Sequence, residues 1–218
     1  FFGEIIISEY FRNDYFTEEF IKNNGIKDLV KIISNNKGNF RAYGLESLTK
    51  LLDFQNTYDY FYQRLEILSN LYDIAVENDS GNIKTPINAL DLLIKIIGVD
   101  EERTMYIIDV GEKYAKRTHT KLFQGIVNNL SETNNDIEGR LKSIVFINTA
   151  INYCHQSILS RILIELKDTG IFELLEKFRN QNPNMEEVQN QWIAFLDMER
   201  GDLLDMAKKE NKEIKEAV

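Results

Sequence analysis

The chain has 218 residues, of which 43% are hydrophobic, 2 are proline and 1 is cysteine, and its formal net charge is −9. This length is enough to bury a sizeable core as one domain or as a short array of repeats. The single cysteine excludes a disulfide framework and paired-cysteine zinc sites, and the acidic balance argues against a nucleic-acid surface. The scarcity of proline argues against an all-β chain and favours long helices with few breaks.

Apolar residues recur at helical spacing almost throughout, and no stretch keeps the two-residue alternation of a strand for long. This pattern predicts an all-α chain of about ten to eleven helices joined by short polar turns. In chain order, the predicted helical stretches are 17–24, 26–33, 42–54, 58–77, 85–97, 101–117, 120–131, 137–153, 157–168, 170–181 and 184–197, followed by a charged C-terminal stretch at 200–217 that is not part of that number.

Two pairs of segments in the chain echo each other. Residues 44–52 resemble residues 89–97, with starts 45 residues apart (89 minus 44), and residues 25–30 resemble residues 170–175. A small residue followed by a leucine-rich helix at a spacing of roughly 40–47 residues is typical of armadillo and HEAT repeats. We therefore predict an armadillo-like right-handed helical-repeat solenoid, with chance similarity among amphipathic helices as the alternative.

The residue types that carry catalysis are not grouped in a catalytic pattern. Cys154 and His155 are adjacent, but neighbouring residues of a helix point about 100° apart and do not face each other. Phosphate-binding glycine loops, the HExxH zinc motif and the GxSxG nucleophile motif do not occur in the sequence. Carboxylates are scattered over polar faces and helix starts. We expect no catalytic residue, no bound metal and no cofactor.

The second half of the chain carries short motifs in an order that is similar to one known family. The blocks are Lys-Leu-Phe-Gln-Gly-Ile-Val-Asn-Asn-Leu (121–130), Ser-Ile-Val-Phe-Ile-Asn-Thr-Ala-Ile (143–151), the Arg-to-Ile stretch 161–171 and Val-Gln-Asn-Gln-Trp-Ile-Ala-Phe-Leu-Asp (188–197). Their order resembles the formin homology-3 region of diaphanous-related formins over roughly residues 86–205. Leu122 and Leu166 stand where that family usually has a basic and an aromatic residue.

The beginning of the chain is similar to a second family. Residues 16–26 and 41–45 resemble the opening of the armadillo domain of engulfment and cell motility (ELMO) scaffolds, whereas residues 186–205 fit formins better. The ELMO resemblance implies an armadillo scaffold that acts in Rac activation. Another helical-repeat scaffold that binds proteins is the remaining alternative.

The formin resemblance implies a regulatory armadillo array that is not an enzyme. Such a domain binds an active Rho-family GTPase, together with a helical segment just upstream of it. It also binds the chain's own C-terminal autoregulatory helix, which keeps the actin-assembling domains inhibited until the GTPase binds. The implied location is cytoplasmic and cytoskeleton-associated.

The inner face of such a solenoid is formed by one helix of each repeat, and an amphipathic partner helix could lie there. We expect helices 86–97 and 140–152 to form that face. The candidate partner-binding residues are Asn88, Ala89, Asp91, Lys95, Lys142, Val145, Asn148 and Asn152. The formin resemblance places Ala89 and Val145 near positions that contact the autoregulatory helix. Asn148 could instead bridge repeats through a backbone amide.

The ends of the chain suggest a fragment of something longer. We expect residues 1–198 to form the repeat domain and residues 199–218 to begin a charged helix that leads into a missing region. No apolar run reaches the roughly 18 residues of a membrane span, and the apolar start lacks the basic region of a signal peptide. The C-terminal helix could mediate dimerisation, although its apolar residues do not hold a heptad pattern.

Overall fold

The structure, a computed structural model, describes residues 14–53, 57, 64–77, 82–131 and 136–216, with side chains described up to residue 204 except at 14, 16 and 65. Within these residues there are eleven helices and no strand. They are α1 (Asp14–Lys22), α2 (Gly25–Asn35), α3 (Gly38–Leu51), α4 (Leu65–Val76), α5 (Lys84–Ile97), α6 (Glu101–Thr118), α7 (Gln124–Asn128), α8 (Ile137–Tyr153), α9 (Gln156–Lys167), α10 (Ile171–Gln181) and α11 (Glu186–Glu216).

Two of the long helices begin at aspartate caps. The side chain of Asp100 accepts a hydrogen bond from the backbone N–H of Arg103 at 2.8 Å, and that of Asp136 accepts one from Gly139 at 3.0 Å. Each carboxylate satisfies a backbone donor that has no partner inside the helix and lies at the positive end of the helix dipole. These caps fix where α6 and α8 start.

The helices are arranged as four repeats, which end in α3, α5, α8 and α11 respectively. These last helices pack side by side. α3 packs on α5, α5 on α8, and α8 on α11. Asn88 and Lys95 of α5 reach the carbonyls of Ala42 and Thr49, 46 residues earlier in each case. The prediction of an all-α helical-repeat solenoid is therefore confirmed, with a register between the first two repeats that agrees with the sequence echo.

An aromatic cluster holds the middle of the solenoid together. Tyr72, fully buried, lies 5.3 Å from the ring of Tyr114 and 6.4 Å from that of Phe146, while Phe123 meets Phe146 edge-on at 5.4 Å. Such pairs add about 0.5–1.5 kcal/mol each beyond the burial of their area. Burial raises the pKa of Tyr72, so its hydroxyl stays protonated at physiological pH.

The predicted helix over 120–131 is wrong in most of its length. Only α7, five residues long, is helical there, because Phe123 adopts a left-handed backbone conformation with φ 58°. Both Leu122 and Phe123 are buried, and neighbouring side chains of a continuous helix would point about 100° apart. The turn allows both side chains to enter the core beside α6.

Two other helix boundaries also differ from the predictions. Arg64 is not helical, with φ −138° and ψ 75°, so the predicted helix 58–77 does not run through it, and residues 58–63 lie outside the described part. The predicted helices 184–197 and 200–217 form one continuous helix, α11. Gly201 lies within α11, where a glycine costs about 1 kcal/mol relative to alanine without ending the helix.

Candidate partner-binding face

The last helices of the second, third and fourth repeats turn a stripe of side chains away from the core. At about 100° per residue, positions spaced by three and four residues fall on one side of a helix. We call the set the third-helix face. It consists of Lys84, Asn88, Asp91 and Lys95 on α5, Glu138, Lys142, Val145, Thr149 and Asn152 on α8, and Ile193, Asp197, Arg200 and Leu204 on α11.

The first seam of this face joins α3 to α5. Asn88 Nδ2 donates to the carbonyl of Ala42 at 3.1 Å. Lys95 Nζ donates to the carbonyl of Thr49 at 3.1 Å and forms an ion pair with Asp53 Oδ1 at 2.9 Å. Two predicted partner-binding residues therefore already bind a neighbouring repeat within this chain.

The second seam joins α5 to α8 through ion pairs. Lys142 Nζ lies 2.6 Å from Asp91 Oδ1, and both side chains are about one-third exposed, at 32% and 35%. Lys84 and Glu138 form a looser pair at 3.9 Å near the start of the same two helices. Pairs that are exposed to this degree contribute about 0.2–1 kcal/mol each, so their charges remain available to a partner.

The third seam joins α8 to α11 through Asn148. Its Nδ2 donates to both the backbone carbonyl and the side-chain Oε1 of Gln191, each at 2.8 Å. Asn148 is only 6% exposed, and its own Oδ1 has no hydrogen-bond partner among the described residues. Asn148 therefore bridges two repeats, through a backbone carbonyl rather than the backbone amide expected from the sequence.

The remaining three predicted residues differ in accessibility. Ala89 has no exposed surface and lies on the core side of α5, so it offers nothing to a partner, and its placement on the face is corrected. Val145 is half-buried and packs against the core, whereas Asn152 is exposed. Val145 and Asn152 are thus the two predicted residues that reach the surface without bridging two repeats.

Sequence reasoning missed the apolar part of the face on α11. Ile193 and Leu204, exposed by 53% and 63%, lie opposite the buried Val188 and Phe195. That side of α11 corresponds to the stripes of α5 and α8. The signal in the sequence was the helical spacing that places Ile193 and Leu204 on one side with Asp197 and Arg200, but the expected inner-face helices included none from the last repeat.

The possible Cys154–His155 pair does not form. His155 Nδ1 lies 2.6 Å from Ser157 Oγ and accepts the backbone N–H of Ser157, as a cap of α9. Cys154 Sγ donates to the carbonyl of Ile151 at 3.2 Å. Burial, followed by the charges of Glu101 and Asp202, raises the pKa of Cys154 to about 11 and keeps it a thiol.

The described ranges contain neither a candidate metal site nor a candidate membrane span. Among those residues, no group of three or more histidine, cysteine, aspartate or glutamate side chains is placed to hold a metal ion. None of the described helices is both long enough and apolar enough to cross a membrane.

Solved structures with a similar arrangement of helices include designed armadillo-repeat proteins. The chain is similar to a designed armadillo repeat protein solved in complex with the peptide (KR)4, with a TM-score of 0.64 and 16% identity, covering 88% of this chain and 72% of that one. It is also similar to E. histolytica Formin1 solved bound to EhRho1-GTPγS, with a TM-score of 0.74 and 15% identity, covering 94% of this chain and 74% of that one. The armadillo fold predicted from the repeat spacing is confirmed.

A family model narrows this class to one kind of domain. The model described as the FHOD1/3 FH3 domain matches residues 38–174, and the chain belongs to this family. Formin-G of Dictyostelium discoideum is 22% identical over 140 residues, which are 64% of this chain and 13% of that protein's length. The resemblance to a formin homology-3 region is confirmed, and the ELMO alternative is not supported. The family is a regulatory formin domain rather than a known class of enzyme.

Proposed function

We propose that this chain is the regulatory domain of a formin-type actin assembly factor and that it binds two partners. One is a Rho-family GTPase in its active state. The other is the C-terminal autoregulatory helix of the parent formin, held on the third-helix face. The family match supports the formin assignment, and the likeness to a formin solved with a GTPγS-bound Rho protein supports the first partner.

The observation that carries the second partner is that apolar side chains of the third-helix face occur on α8 and α11 only, among charged residues; we call Val145, Ile193 and Leu204 its apolar part. Val145, Ile193 and Leu204 lie on α8 and α11, whereas α5 presents Asp91 and Lys95. An amphipathic helix has apolar anchors at i, i+3, i+4 and i+7 and polar residues beside them. Anchors would pack on the apolar part, and charged residues of the helix would exchange with the exposed ion pairs of α5 and α8.

The proposed setting is the cytoplasm, at the actin cytoskeleton, where the parent formin would act. With a net charge of −9 the chain has no general attraction for nucleic acid, so both proposed partners are proteins. Regulation then follows from competition. A GTPase that binds the domain and disfavours the bound helix must, by linkage, bind less tightly when the helix is present.

GTPase binding can be tested by titrating the 218-residue chain with Rho-family GTPases loaded with GTPγS or with GDP, using isothermal titration calorimetry. We expect at least tenfold tighter binding to one GTPγS-loaded protein than to its GDP form. Equal affinity for both nucleotide states, or no binding across the family, would contradict the GTPase part of the proposal for this chain.

Helix binding can be tested with a fluorescent peptide from the C-terminal region of the parent formin. We expect Val145→Asp and Ile193→Asp each to weaken binding at least tenfold, because a carboxylate would face the apolar anchors. Ile164→Asp on α9, also at an exposed isoleucine, should leave affinity unchanged. Circular dichroism must show equal helicity for all three variants, and unchanged affinity in both face variants would overturn the helix assignment.

A second candidate function is self-association through α11. This helix continues to Glu216, and Leu203 is 53% exposed. Light scattering that gives twice the mass of 25.5 kDa, and a monomer after Leu203→Glu, would support dimerisation.

We propose that the repeat domain extends to residue 202 rather than ending at 198, because Ser160 Oγ donates to the buried Asp202 at 2.6 Å.

A further inference from the structure

A cleft of about 630 Å³ lies on a surface that includes none of the last helices of the repeats. The C-terminal half of α6, the loop over residues 119–122 and α9 form its walls. Its lining residues are Glu112, Ala115, Lys116, His119, Thr120, Lys121, Leu122, Arg161 and Glu165. The cleft therefore joins the third repeat to the fourth and is separate from the proposed partner face.

The end of α6 and the following loop concentrate positive charge in an acidic chain. Residues 113–121 contain four lysine or arginine side chains and one histidine, whereas the chain as a whole carries −9. Arg117 forms an ion pair with Asp73. Lys116 forms no ion pair with any residue that the structure describes, and it projects into the cleft. Lys116 is thus a cation available to a new anionic group.

Two hydroxyl groups stand at this site, and their hydrogen bonds distinguish them. Thr118 Oγ1 donates to the carbonyl of Tyr114 at 2.9 Å and lies 2.9 Å from Thr120 Oγ1. Because the single proton of Thr118 is used in the first bond, Thr120 is the donor in the second. No group among the described residues donates to Thr120 Oγ1, so its lone pairs are free there. Thr120 is exposed and lies outside the helix, after His119 in a left-handed conformation.

We propose that Thr120 is a phosphorylation site for a protein kinase that selects a basic residue three positions before its acceptor, here Arg117. The lone pair of Thr120 Oγ1 attacks the γ-phosphorus of ATP, and the bond from that phosphorus to the β–γ bridging oxygen breaks. ADP leaves with that electron pair, and the hydroxyl proton passes to the base of the kinase. The product is a phosphothreonine on the wall of the cleft.

The phosphate would be held by cations from both repeats. Lys116 is the first partner because it has no ion pair to give up among the described residues. Lys121 is the second, since its pair with Asp168 is long, at 3.3 Å, and more than half exposed on both sides. A pair of this kind contributes little and exchanges readily for a dianionic phosphate.

Arg161 supplies the link to the fourth repeat. Its guanidinium contacts Glu112 of α6 at 2.6 Å and Glu165 of its own helix at 3.2 Å. A phosphate on the third repeat would add a further acceptor for this side chain of α9. Charge-assisted bonds of this type are short and strong, so phosphorylation should stabilise the junction between the third and fourth repeats.

The test is to incubate the 218-residue chain with the catalytic subunit of a cyclic-AMP-dependent kinase and magnesium ATP, and to map the phosphate by mass spectrometry. We expect phosphate on Thr120, complete loss of labelling in Thr120→Ala, and retained labelling in Thr118→Ala and Thr120→Ser. Phosphorylation should raise the Tm by about 2–4 °C. This outcome does not depend on whether the chain binds a GTPase.

A matched variant tests how the phosphate is held. Lys116→Met keeps the apolar stem and removes the charge, and Arg117 still marks the site for the kinase. In phosphorylated Lys116→Met we expect at most half of the rise in Tm. Phosphate on Thr118 instead of Thr120, absence of phosphate on Thr120, an unchanged or lower Tm, or a full rise in Lys116→Met would each overturn the proposal.

Discussion

Asn148 on α8 and Gln191 on α11 are joined by two hydrogen bonds of 2.8 Å, one to the backbone carbonyl of Gln191 and one to its side chain. The contact lies at the edge of the third-helix face, beside Val145. It couples the position of α11, with its exposed Ile193, to the position of α8. The two halves of the apolar part of the face are therefore set by one polar bridge between repeats.

Removal of this bridge should loosen the last repeat. Asn148→Ala deletes both hydrogen bonds and leaves the Gln191 side chain without its donor, so we expect the free energy of unfolding to fall by about 1–3 kcal/mol. Urea denaturation followed by circular dichroism measures the change. Asn152→Ala, one turn further along α8 and exposed, should stay within about 0.5 kcal/mol of the parent. Equal effects of the two substitutions would show that Asn148 carries no bridge.

Loss of the ion pair between Asp91 and Lys142 should change stability less than loss of the Asn148 bridge. Asp91→Asn and Lys142→Met should each destabilise slightly, and the double variant should reveal a coupling energy of about 0.2–1 kcal/mol. That coupling should decrease in 1 M salt, where the Debye length is about 3 Å. As a control, Asp91→Asn with Lys116→Met should show no coupling, because Lys116 lies on the separate cleft. A coupling above about 2 kcal/mol would mean that the pair is not screened by solvent.

Two glycines in helices should respond in opposite directions to alanine. A Cβ atom on Gly111 would lie 2.9 Å from the ring of Phe123 and 3.0 Å from Leu122, so Gly111→Ala should destabilise by about 1–3 kcal/mol despite its better helix propensity. No atom of the described residues lies within 4 Å of that position at Gly201, so Gly201→Ala should stabilise α11 by up to about 1 kcal/mol. Thermal unfolding followed at 222 nm compares the two, and a stabilising Gly111→Ala would contradict the packing of Phe123 against α6.

The sequence was sufficient to predict the parts of the fold that depend on local periodicity. The apolar repeats of α3 and α5 carry helical spacing, and their echo predicted the register between repeats. The left-handed turn at Phe123 could not be predicted, because the residue with the positive φ is neither glycine nor asparagine. It arises from burial of Leu122 and Phe123 against distant residues such as Phe146.

The candidate face follows the expected helices more closely than the expected residues, and its role in binding stays a prediction. Both expected face helices, α5 and α8, do present a polar stripe. Ala89 was misplaced because α5 is covered by α3, α4, α6 and α8, so its buried arc is wider than one apolar stripe. Ile193 and Leu204 were missed because no helix of the last repeat was expected on the inner face; in addition, α11 was predicted to break between residues 197 and 200, whereas the helix continues through Gly201.

The thiol of Cys154 gives a prediction that depends on pH. Its pKa is raised from 9.0 to about 11, chiefly by burial and then by the negative charges of Glu101 and Asp202. In the folded chain the thiolate fraction at pH 8 is therefore small, and alkylation by iodoacetamide should be slow and should accelerate until the pH nears 11. The same chain unfolded in urea, where the pKa returns towards its ordinary value, should react faster at pH 8.

The sign of the accompanying change in stability follows from the same shift. Below pH 9 the thiol is protonated in both the folded and the unfolded chain, so it does not make the free energy of unfolding depend on pH. Between pH 9 and pH 11 the unfolded chain loses this proton while the folded chain keeps it, so the free energy of unfolding falls as pH rises. Cys154→Ser removes this group, and its stability should decline less over that range than the parent's. Parallel curves for the two proteins, together with rapid alkylation at pH 8 without urea, would place Cys154 in solvent rather than against Ile151.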